Sequence, residues 1–273
     1  MQPMANMALR AARQAGPIIT RAMDRLDLLR VEQKGRNDFV SNIDREAEQA
    51  IIDVLRRAYP DHEILGEESG HTNPNLNPKN EYRWIIDPLD GTTNYLQGIP
   101  HFCISVACMR GKQFEHGVIV DPLRNEEFVA SRGSGAQLNG KRIRVSKTVR
   151  LSEAVLTTGI PPTAIPEHRE TYMATMDNFL GECLAVRRLG SAALDLAYVA
   201  AGRFDGFWEF KLSPWDIAAG TLLVREAGGF VGDLSGGDNF FASGNIVAAN
   251  PKCFKAMVQT IRPHLTPELT SAG

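Results

Sequence analysis

The stretch that decides the fold is Trp84-Ile85-Ile86-Asp87-Pro88-Leu89-Asp90-Gly91-Thr92-Thr93-Asn94. The apolar residues before Asp87 are typical of a buried strand, and Asp87 and Asp90 follow it on a loop. Pro88 restricts the backbone between the two acids. Two carboxylates at a strand end offer the oxygen ligands that Mg²⁺ prefers, and the N–H groups of a following helix start suit an anion. The stretch therefore predicts a metal-assisted phosphate site.

A simpler interpretation of the same residues needs no metal. Asp87 can cap a turn and Asp90 can cap the next helix, because aspartate is common at both kinds of position. Two other segments favour the metal. In Leu65-Gly66-Glu67-Glu68-Ser69-Gly70, adjacent acids follow a short apolar strand. In Ser213-Pro214-Trp215-Asp216, the acid lies in the first turn of a predicted helix, where it could also act only on the helix dipole. Either segment alone is a weak signal, but the three together indicate a cation site.

Composition excludes several classes of protein. The 273 residues carry 30 basic and 32 acidic side chains, a net charge of −2, and 43% of them are hydrophobic, so the chain is not a disordered polyelectrolyte. The near balance argues against binding nucleic acid by bulk charge, although a local site can differ from the total. The first 29 residues lack the layout of a signal peptide, and no apolar run reaches membrane-spanning length. We therefore expect a cytoplasmic protein with no membrane contact.

The four cysteines are widely spaced and form no Cys-x-x-Cys pair. This spacing fits neither a zinc site nor a disulfide scaffold. It predicts buried free thiols in a reducing compartment, unrelated to the acidic segments. The cysteines are Cys103, Cys108, Cys183 and Cys253.

Hydrophobic periodicity divides the chain into two halves, residues 1–145 and 146–273. The first half is predicted to be α+β, with helices followed by a largely antiparallel sheet and its metal-binding loops. The second half alternates strands and helices and completes the site. Helices are predicted over residues 4–29 (kinked or divided at Gly16-Pro17), 42–59, 166–180, 192–201, 214–228 and 251–261. Strands are predicted over residues 31–39 (with a turn at Gly35), 63–65, 82–86, 102–110, 114–120, 126–130, 154–158, 184–188, 206–210 and 246–249, and a loop over 70–80.

With these segments in this order, the chain resembles the inositol monophosphatase family of Mg²⁺-dependent, lithium-sensitive phosphatases. The resemblance extends over nearly the whole chain, and Gly190-Ser191-Ala192-Ala193-Leu194-Asp195-Leu196-Ala197 is most similar to its bacterial SuhB-type branch. It implies a five-layered αβαβα sandwich, of mixed α+β and α/β class, and a homodimer. It also implies hydrolysis of myo-inositol monophosphates to inositol and phosphate. The alternative is a related phosphatase that acts on fructose 1,6-bisphosphate, NADP or 3′-phosphoadenosine 5′-phosphate.

The resemblance also implies roles for individual residues, with two or three Mg²⁺ ions per active site. Carried over by motif, the metal ligands are Glu67, Asp87, the backbone carbonyl of Leu89, Asp90 and Asp216. The catalytic residues are Glu67, Thr92 and Asp44, with Asp44 and Thr92 positioning the attacking water. The substrate-binding residues are Gly91, Thr92, Thr93, Gly190, Ser191, Ala192, Glu209 and Asp216. The chain departs from some members at Ile160-Pro161-Pro162, where those have serines in the substrate pocket.

A second role is implied for the SuhB-type branch, in ribosomal RNA transcription, through binding of a Nus-type antitermination factor and RNA polymerase. Residues 141–150 concentrate positive charge, and Arg187-Arg188 adds a second pair. A solvated surface with dimer contacts is the simpler explanation of these charges, since local runs of one sign are common in a near-neutral protein. The sequence contains no nucleic-acid-binding motif, so direct sequence-specific binding of nucleic acid is not expected. A mainly regulatory, protein-binding role is therefore the alternative from another functional class.

Overall fold

Two main sheets and the helices on their faces make up this computed structural model, which describes residues 2–26, 31–35, 38–72 and 81–270. The helices are α1 (Pro3–Met23), α2 (Asn42–Ala58), α3 (Thr92–Leu96), α4 (Ile165–Glu182), α5 (Ala192–Ala200), α6 (Pro214–Glu226), α7 (Phe240–Ser243), α8 (Pro251–Ile261) and α9 (Pro267–Thr270). The strands of the N-terminal part are β1 (Val31–Gly35), β2 (Asp38–Ser41), β3 (Glu63–Gly66), β4 (Gly70–Thr72), β5 (Tyr82–Asp90), β6 (Cys103–Arg110), β7 (Gln113–Asp121), β8 (Glu126–Ser131), β9 (Gly135–Leu138) and β10 (Lys141–Arg142). The remaining strands are β11 (Val155–Thr158), β12 (Ala185–Arg187), β13 (Gly206–Glu209), β14 (Phe230–Gly232) and β15 (Ile246–Ala249).

The larger sheet contains eight of the described strands, in the order β10-β9-β8-β7-β6-β5-β3-β4. Its neighbouring strands are antiparallel except for β3 and β5, which run parallel with Gly66 opposite Ile86. The central strands are buried on both faces, which explains their nearly continuous apolar sequence. The largely antiparallel sheet predicted from the sequence is confirmed, and its one parallel pair leads directly to the acidic loops.

The smaller sheet has the order β12-β11-β13-β15-β14 among the described strands. β11 runs parallel to β12 and β13, whereas β15 is antiparallel to β13 and β14. Successive side chains of β13 point to opposite faces, so Phe207 and Trp208 belong to different cores. This sheet therefore needs helices on both faces.

The layers follow from which helices cover which face. Helices α1 and α2 pack on the outer face of the large sheet, α5 and α6 lie between the two sheets, and α4 and α8 cover the outer face of the small sheet. Three buried clusters occupy the spaces between layers, with Leu196, Trp84 and Phe179 as their respective large members. The five-layered αβαβα sandwich is confirmed.

Some local predictions were wrong. Of the kink or division predicted at Gly16-Pro17, the division is wrong, since helix α1 continues through Pro17 and buries residues on both sides of it, including Ala12 and Ile19. It ends at Met23, and residues 27–30 lie outside the described ranges. The predicted loop over 70–80 begins with strand β4, and its residues 73–80 also lie outside those ranges. Strand β14 and helices α7 and α9 had no clear periodicity, since each is four residues or shorter.

A close backbone contact joins the large sheet to α6, the helix that carries Asp216. A Cβ atom at Gly117 of β7 would lie 2.8 Å from the backbone oxygen of Ala219. We expect Gly117→Ala to lower the free energy of unfolding by about 1–3 kcal/mol, because backbone cannot move aside as a side chain can. Chemical denaturation would measure this.

Gly181 provides the matched control for that substitution, since it lies on α4 with open space where a Cβ would be added. Gly181→Ala should leave stability unchanged or raise it by up to about 1 kcal/mol. Equal effects of the two variants would contradict the close-contact explanation.

Candidate active site

The parallel pairing of β3 and β5 places two acids side by side. The carboxyl ends of parallel strands meet at the same sheet edge, so Glu67, after β3, lies beside Asp87 near the end of β5. The Glu67 N–H donates to the Ile86 carbonyl at 3.1 Å, which continues the ladder into the loop. The sheet itself thus brings together two residues from separate segments of the sequence.

Asp90 and Asp216 complete the acidic cluster from two other elements. Asp90 is the last residue of β5, and Asp216 lies in the first turn of α6, where its Oδ2 accepts the Ser213 N–H at 2.7 Å. Carboxylate oxygens of Asp87, Asp90 and Asp216 all lie within 4.8 Å of one another. Asp216 therefore caps its helix and contributes to the acidic cluster with the same side chain.

The electrostatics of this cluster favour a bound cation. Burial raises the pKa of Asp87 well above its usual range, and the charges of Glu67 and Asp90 raise it further. The pKa of Asp216 is raised well above its usual range by burial and then by Asp90. All the clustered donors are carboxylate oxygens, the ligand type that Mg²⁺ and other hard divalent cations prefer. The residues present therefore fit a divalent cation, whose positive charge would offset their mutual repulsion.

Asp44 and Thr92 meet beside the cluster. The Thr92 hydroxyl lies 3.2 Å from Asp44 Oδ1 and 3.1 Å from the Leu89 carbonyl oxygen, with both as acceptors. The other oxygen of Asp44 accepts the Ser41 N–H at 2.9 Å and the Ser41 hydroxyl at 2.6 Å. Ser41 is the N-cap of α2, so the capping box that starts this helix also orients Asp44 towards Thr92. Since a carbonyl oxygen has two lone pairs, Leu89 retains one for another partner.

The loop before α5 closes over Asp90. Asp90 Oδ2 accepts the Ser191 hydroxyl and the Ala193 N–H, both at 2.7 Å. Burial raises the pKa of Asp90, whereas these two hydrogen bonds lower it. The loop is held from the other side by Asn94, whose amide donates to the Leu189 carbonyl at 2.8 Å. Ser191, predicted from sequence as a substrate-binding residue, thus lies at the acidic cluster in contact with a carboxylate.

Two glycines permit this approach. Gly91 has φ +100°, and a Cβ there would lie 3.2 Å from the Gly190 carbonyl oxygen. Gly190 itself has φ +85° and lies against the Asn94 amide. Positive φ values are readily adopted only by glycine. Thr93, the next predicted residue of this group, is exposed in the first turn of α3.

Glu209 lies buried at the end of β13, behind the acidic cluster. Burial raises the pKa of its carboxyl group well above the usual range, and the charges of Asp195 and Asp216 add to this. A Cβ at Gly159 would overlap Glu209 Oε1, so the carboxylate occupies the space that a side chain at position 159 would need. Ala192, the first residue of α5, is buried in the same middle layer.

Three residues support these side chains, and two of them, Glu48 and Asn94, had no clear sign in the sequence. Ser41, Glu48 and Asn94 each hold a backbone or carboxylate group of the site, and a capping box at Ser41 was the only recognisable signal. Cys103 also corrects an expectation, because its Sγ lies 3.8 Å from Asp90 Oδ2 and 3.6 Å from Ser191 Oγ. The thiol packs against the site because β6 pairs with β5 at this point, opposite Asp90. Cys183 is only partly buried, unlike the other three.

The Ser191 hydroxyl contact leads to a testable expectation. Ser191→Ala removes one of the donors to Asp90 Oδ2 and leaves the Ala193 N–H in place. We expect the affinity for a divalent cation to fall by about tenfold, since partners that orient a ligand commonly contribute that much. Titration with Mn²⁺ followed by electron paramagnetic resonance would measure it, with Ser191→Thr as the variant that retains the hydroxyl. An unchanged affinity in Ser191→Ala would contradict this role.

The comparisons with known proteins agree with this geometry. The model of the inositol monophosphatase family matches residues 1–266. The chain belongs to that family. It is 52% identical to the Nus factor SuhB of Pseudomonas aeruginosa over 276 aligned positions, which cover 98% of this chain and 99% of that protein. This is the family that the motifs around Asp87 and Asp216 resemble, and its SuhB-type branch is confirmed as a close match.

Solved structures of the family share the fold. The extragenic suppressor protein SuhB from Bartonella henselae superposes with a TM-score of 0.92 at 42% identity, covering 97% of this chain and 100% of that one. The inositol monophosphatase from Anabaena superposes with a TM-score of 0.84 at 36% identity, covering 95% of each chain. Membership implies a phosphatase of a generally metal-dependent family. No helix in the described ranges combines the length and apolar composition that a membrane crossing requires.

Proposed function

We propose that this protein is a Mg²⁺-dependent phosphatase that hydrolyses myo-inositol monophosphates to inositol and phosphate. The observation that carries the proposal is the convergence of Asp87, Asp90 and Asp216 within 4.8 Å, beside the hydrogen-bonded pair of Asp44 and Thr92. An all-carboxylate cluster next to a hydroxyl held by an acid supports a hydrolase for an anionic substrate better than a binding protein. Family membership supports the same reaction class.

The proposed ligands for two or three Mg²⁺ ions are Glu67, Asp87, the Leu89 carbonyl, Asp90 and Asp216. When bound, the cations supply positive charge that offsets the phosphate and favours deprotonation of the attacking water. The chain itself holds the carboxylates, which come from separate helices and strands, at fixed positions close to one another. Asp90 is fixed by α5 through Ser191, and Asp216 is fixed by the first turn of α6. These contacts hold the carboxylates in place before a phosphate binds.

Thr92 and Asp44 are proposed to orient the attacking water and take up its proton. A hydroxyl that donates to Asp44 Oδ1 has lone pairs left to accept a hydrogen bond from water. Asp44 is buried and held by Ser41, so it stays in the orientation that receives the hydroxyl proton. Glu67 is the third proposed catalytic residue. The N–H groups of Gly91, Thr92 and Thr93 are proposed to contact the phosphate.

The inositol ring is proposed to lie between the loop before α5 and the end of β13. Gly190, Ser191 and Ala192 would line one side, and Glu209 with Asp216 would bind ring hydroxyls as hydrogen-bond acceptors. The residues after Gly159 are Ile160-Pro161-Pro162, which offer no side-chain hydroxyl to the ring. A related sugar or nucleotide phosphatase, acting on fructose 1,6-bisphosphate, NADP or 3′-phosphoadenosine 5′-phosphate, would keep the acids and differ in this region.

A substrate panel tests this proposal. Purified protein is assayed with inositol 1-phosphate, fructose 1,6-bisphosphate, NADP and 3′-phosphoadenosine 5′-phosphate, each with Mg²⁺, with EDTA and with added Li⁺. We expect the highest kcat/KM for inositol 1-phosphate, no turnover in EDTA, and inhibition by Li⁺. Much faster turnover of another ester would overturn the substrate assignment, and full turnover in EDTA would overturn the metal dependence.

We further propose a role in ribosomal RNA transcription antitermination, through a Nus-type factor and RNA polymerase. Support comes from the name of the Pseudomonas aeruginosa relative, Nus factor SuhB, and from exposed cationic side chains at Arg144, Lys147 and Arg187. This role would use a protein surface and no phosphatase chemistry, and it would place the protein in the cytoplasm.

A folded Asp87→Asn variant should lose phosphatase turnover and still form the antitermination complex. Loss of both would contradict the separation.

Both halves of the chain are proposed to contribute to one active site. Residues 1–145 supply the acids up to Asp90, and residues 146–273 supply Glu209 and Asp216.

We also propose that two copies of the chain form a homodimer. Large apolar side chains on and just after α4 are exposed in the single chain, with Leu180 at 63% and Leu184 at 67%. Burial of such side chains against a second copy would stabilise a dimer. Light scattering coupled to size-exclusion chromatography would show a mass near one chain if this proposal is wrong.

A further inference from the structure

Helix α2 carries a second buried acid, Glu48, one turn after Asp44. Side chains four residues apart lie on the same face of a helix, and both of these face inward, with Glu48 2% exposed. A buried carboxylate is costly unless hydrogen bonds satisfy it. Its partners here are backbone groups of the loop that carries Glu67. The Glu68 N–H donates to Glu48 Oε2 at 2.9 Å, and the Ser69 N–H donates to Glu48 Oε1 at 2.8 Å.

The loop is built to receive this carboxylate. A Cβ at Gly66 would overlap Glu48 Oε2, closer than any real side chain permits. The backbone at Glu67 is held by two hydrogen bonds. Its own N–H bonds to the Ile86 carbonyl at 3.1 Å, and the next N–H bonds to Glu48. The backbone on both sides of Glu67 is therefore held, on one side by β5 and on the other by α2.

We propose that Glu48 is a positioning residue that sets the place of Glu67 relative to Asp87. One helix then aligns two parts of the site, since Asp44 reaches Thr92 while Glu48 holds the loop after β3. The inference rests on the proposed cation site, because Glu67 acts there. It goes beyond that proposal by assigning the alignment to α2 and to a residue that contacts no substrate.

Glu48→Gln tests the role with almost no change in shape. An amide presents one acceptor oxygen to two backbone donors, and its NH₂ group faces an N–H that loses its partner. We expect the dissociation constant for Mn²⁺, measured by electron paramagnetic resonance, to rise by about tenfold, as for other groups that orient ligands. In this variant, hydrogen exchange at the Glu68 and Ser69 amides should be faster than in the wild-type protein. The increase should exceed any change in the neighbouring strand β3. Glu46→Gln, an exposed site on the same helix, is the matched control and should change neither measurement.

The Gly66→Ala variant provides an independent perturbation, because its Cβ displaces the Glu48 carboxylate without changing it. It should reproduce the loss of Mn²⁺ affinity seen in Glu48→Gln. Unchanged Mn²⁺ affinity in either folded variant would overturn the proposal, even if thermal stability fell. If neither variant folds, hydrogen exchange in the wild-type protein provides the test. Rapid exchange of the Glu68 and Ser69 amides would show that their hydrogen bonds to Glu48 do not hold the loop, and would overturn the proposal. Absence of both Mn²⁺ binding and turnover in the wild-type protein would instead refute the proposed function.

Discussion

Asp90→Asn should reduce Mg²⁺-dependent turnover by roughly a thousandfold or more, an effect of about 4 kcal/mol on the barrier. The asparagine oxygen would keep the hydrogen bonds from Ser191 and Ala193, because these require an acceptor. The amide nitrogen would then face Asp87 and Asp216, where the site needs a ligand oxygen. Steady-state kinetics over a Mg²⁺ series would measure the loss.

The fold should survive this substitution. In EDTA, the free energy of unfolding should stay within about 1 kcal/mol of the wild-type value, because weaker hydrogen bonds are offset by less repulsion from the neighbouring acids. Asp53→Asn removes an exposed carboxylate on α2 and should leave turnover unchanged. Normal activity in Asp90→Asn, together with an unchanged rise in Tm on adding Mg²⁺, would refute the metal assignment.

Thr92→Val is the second substitution with a large expected effect. It preserves the volume of the side chain and removes the hydroxyl that lies 3.2 Å from Asp44 Oδ1. We expect kcat to fall by roughly 10²-fold or more, the usual contribution of a positioned acid or base, with little change in KM or in Mn²⁺ affinity. Pre-steady-state and steady-state assays at saturating Mg²⁺ would separate the chemical step from binding.

Two further variants distinguish a role of Thr92 in proton transfer from a role in packing. Thr92→Ser retains the hydroxyl and should recover most of the turnover. Asp44→Asn alone should be nearly as damaging as the double variant with Thr92→Val, because residues that act as one unit give non-additive losses. Independent, additive losses would show that the two side chains do not form a single proton path.

Much of the architecture was predictable because local patterns and packing agree. The strand before Asp87 is apolar and buried on both faces, and Ser41 starts α2 as its hydroxyl and the Asp44 spacing indicate. Local patterns failed where tertiary packing outweighed them. Pro17 breaks a helix in isolation, yet α1 continues through it against the large sheet. The short strands β4 and β14 form through hydrogen bonds to neighbouring strands, so their own residues show no pattern that predicts a strand.

The candidate site divides in the same way. Its acids were predictable from residue type and from resemblance, since ligand chemistry is a property of individual side chains. The supporting contacts were not, because they join residues from distant parts of the chain. Glu48 is one acid among many along α2 until the structure places it beneath the loop of Glu67. Cys103 is an ordinary apolar strand residue until its pairing with β5 sets it against Asp90.

The sequence by itself determined the longer helices and strands, the all-oxygen chemistry of Asp87 and Asp90, and the family that the chain resembles. Only the tertiary structure decided which acids share one space and what holds them there. Asp216 joins the cluster because α6 lies between the two sheets, and Glu67 joins it because β3 runs parallel to β5. The physical reason is that ligand preference depends on one functional group, whereas mutual distance depends on the packing of every layer between them.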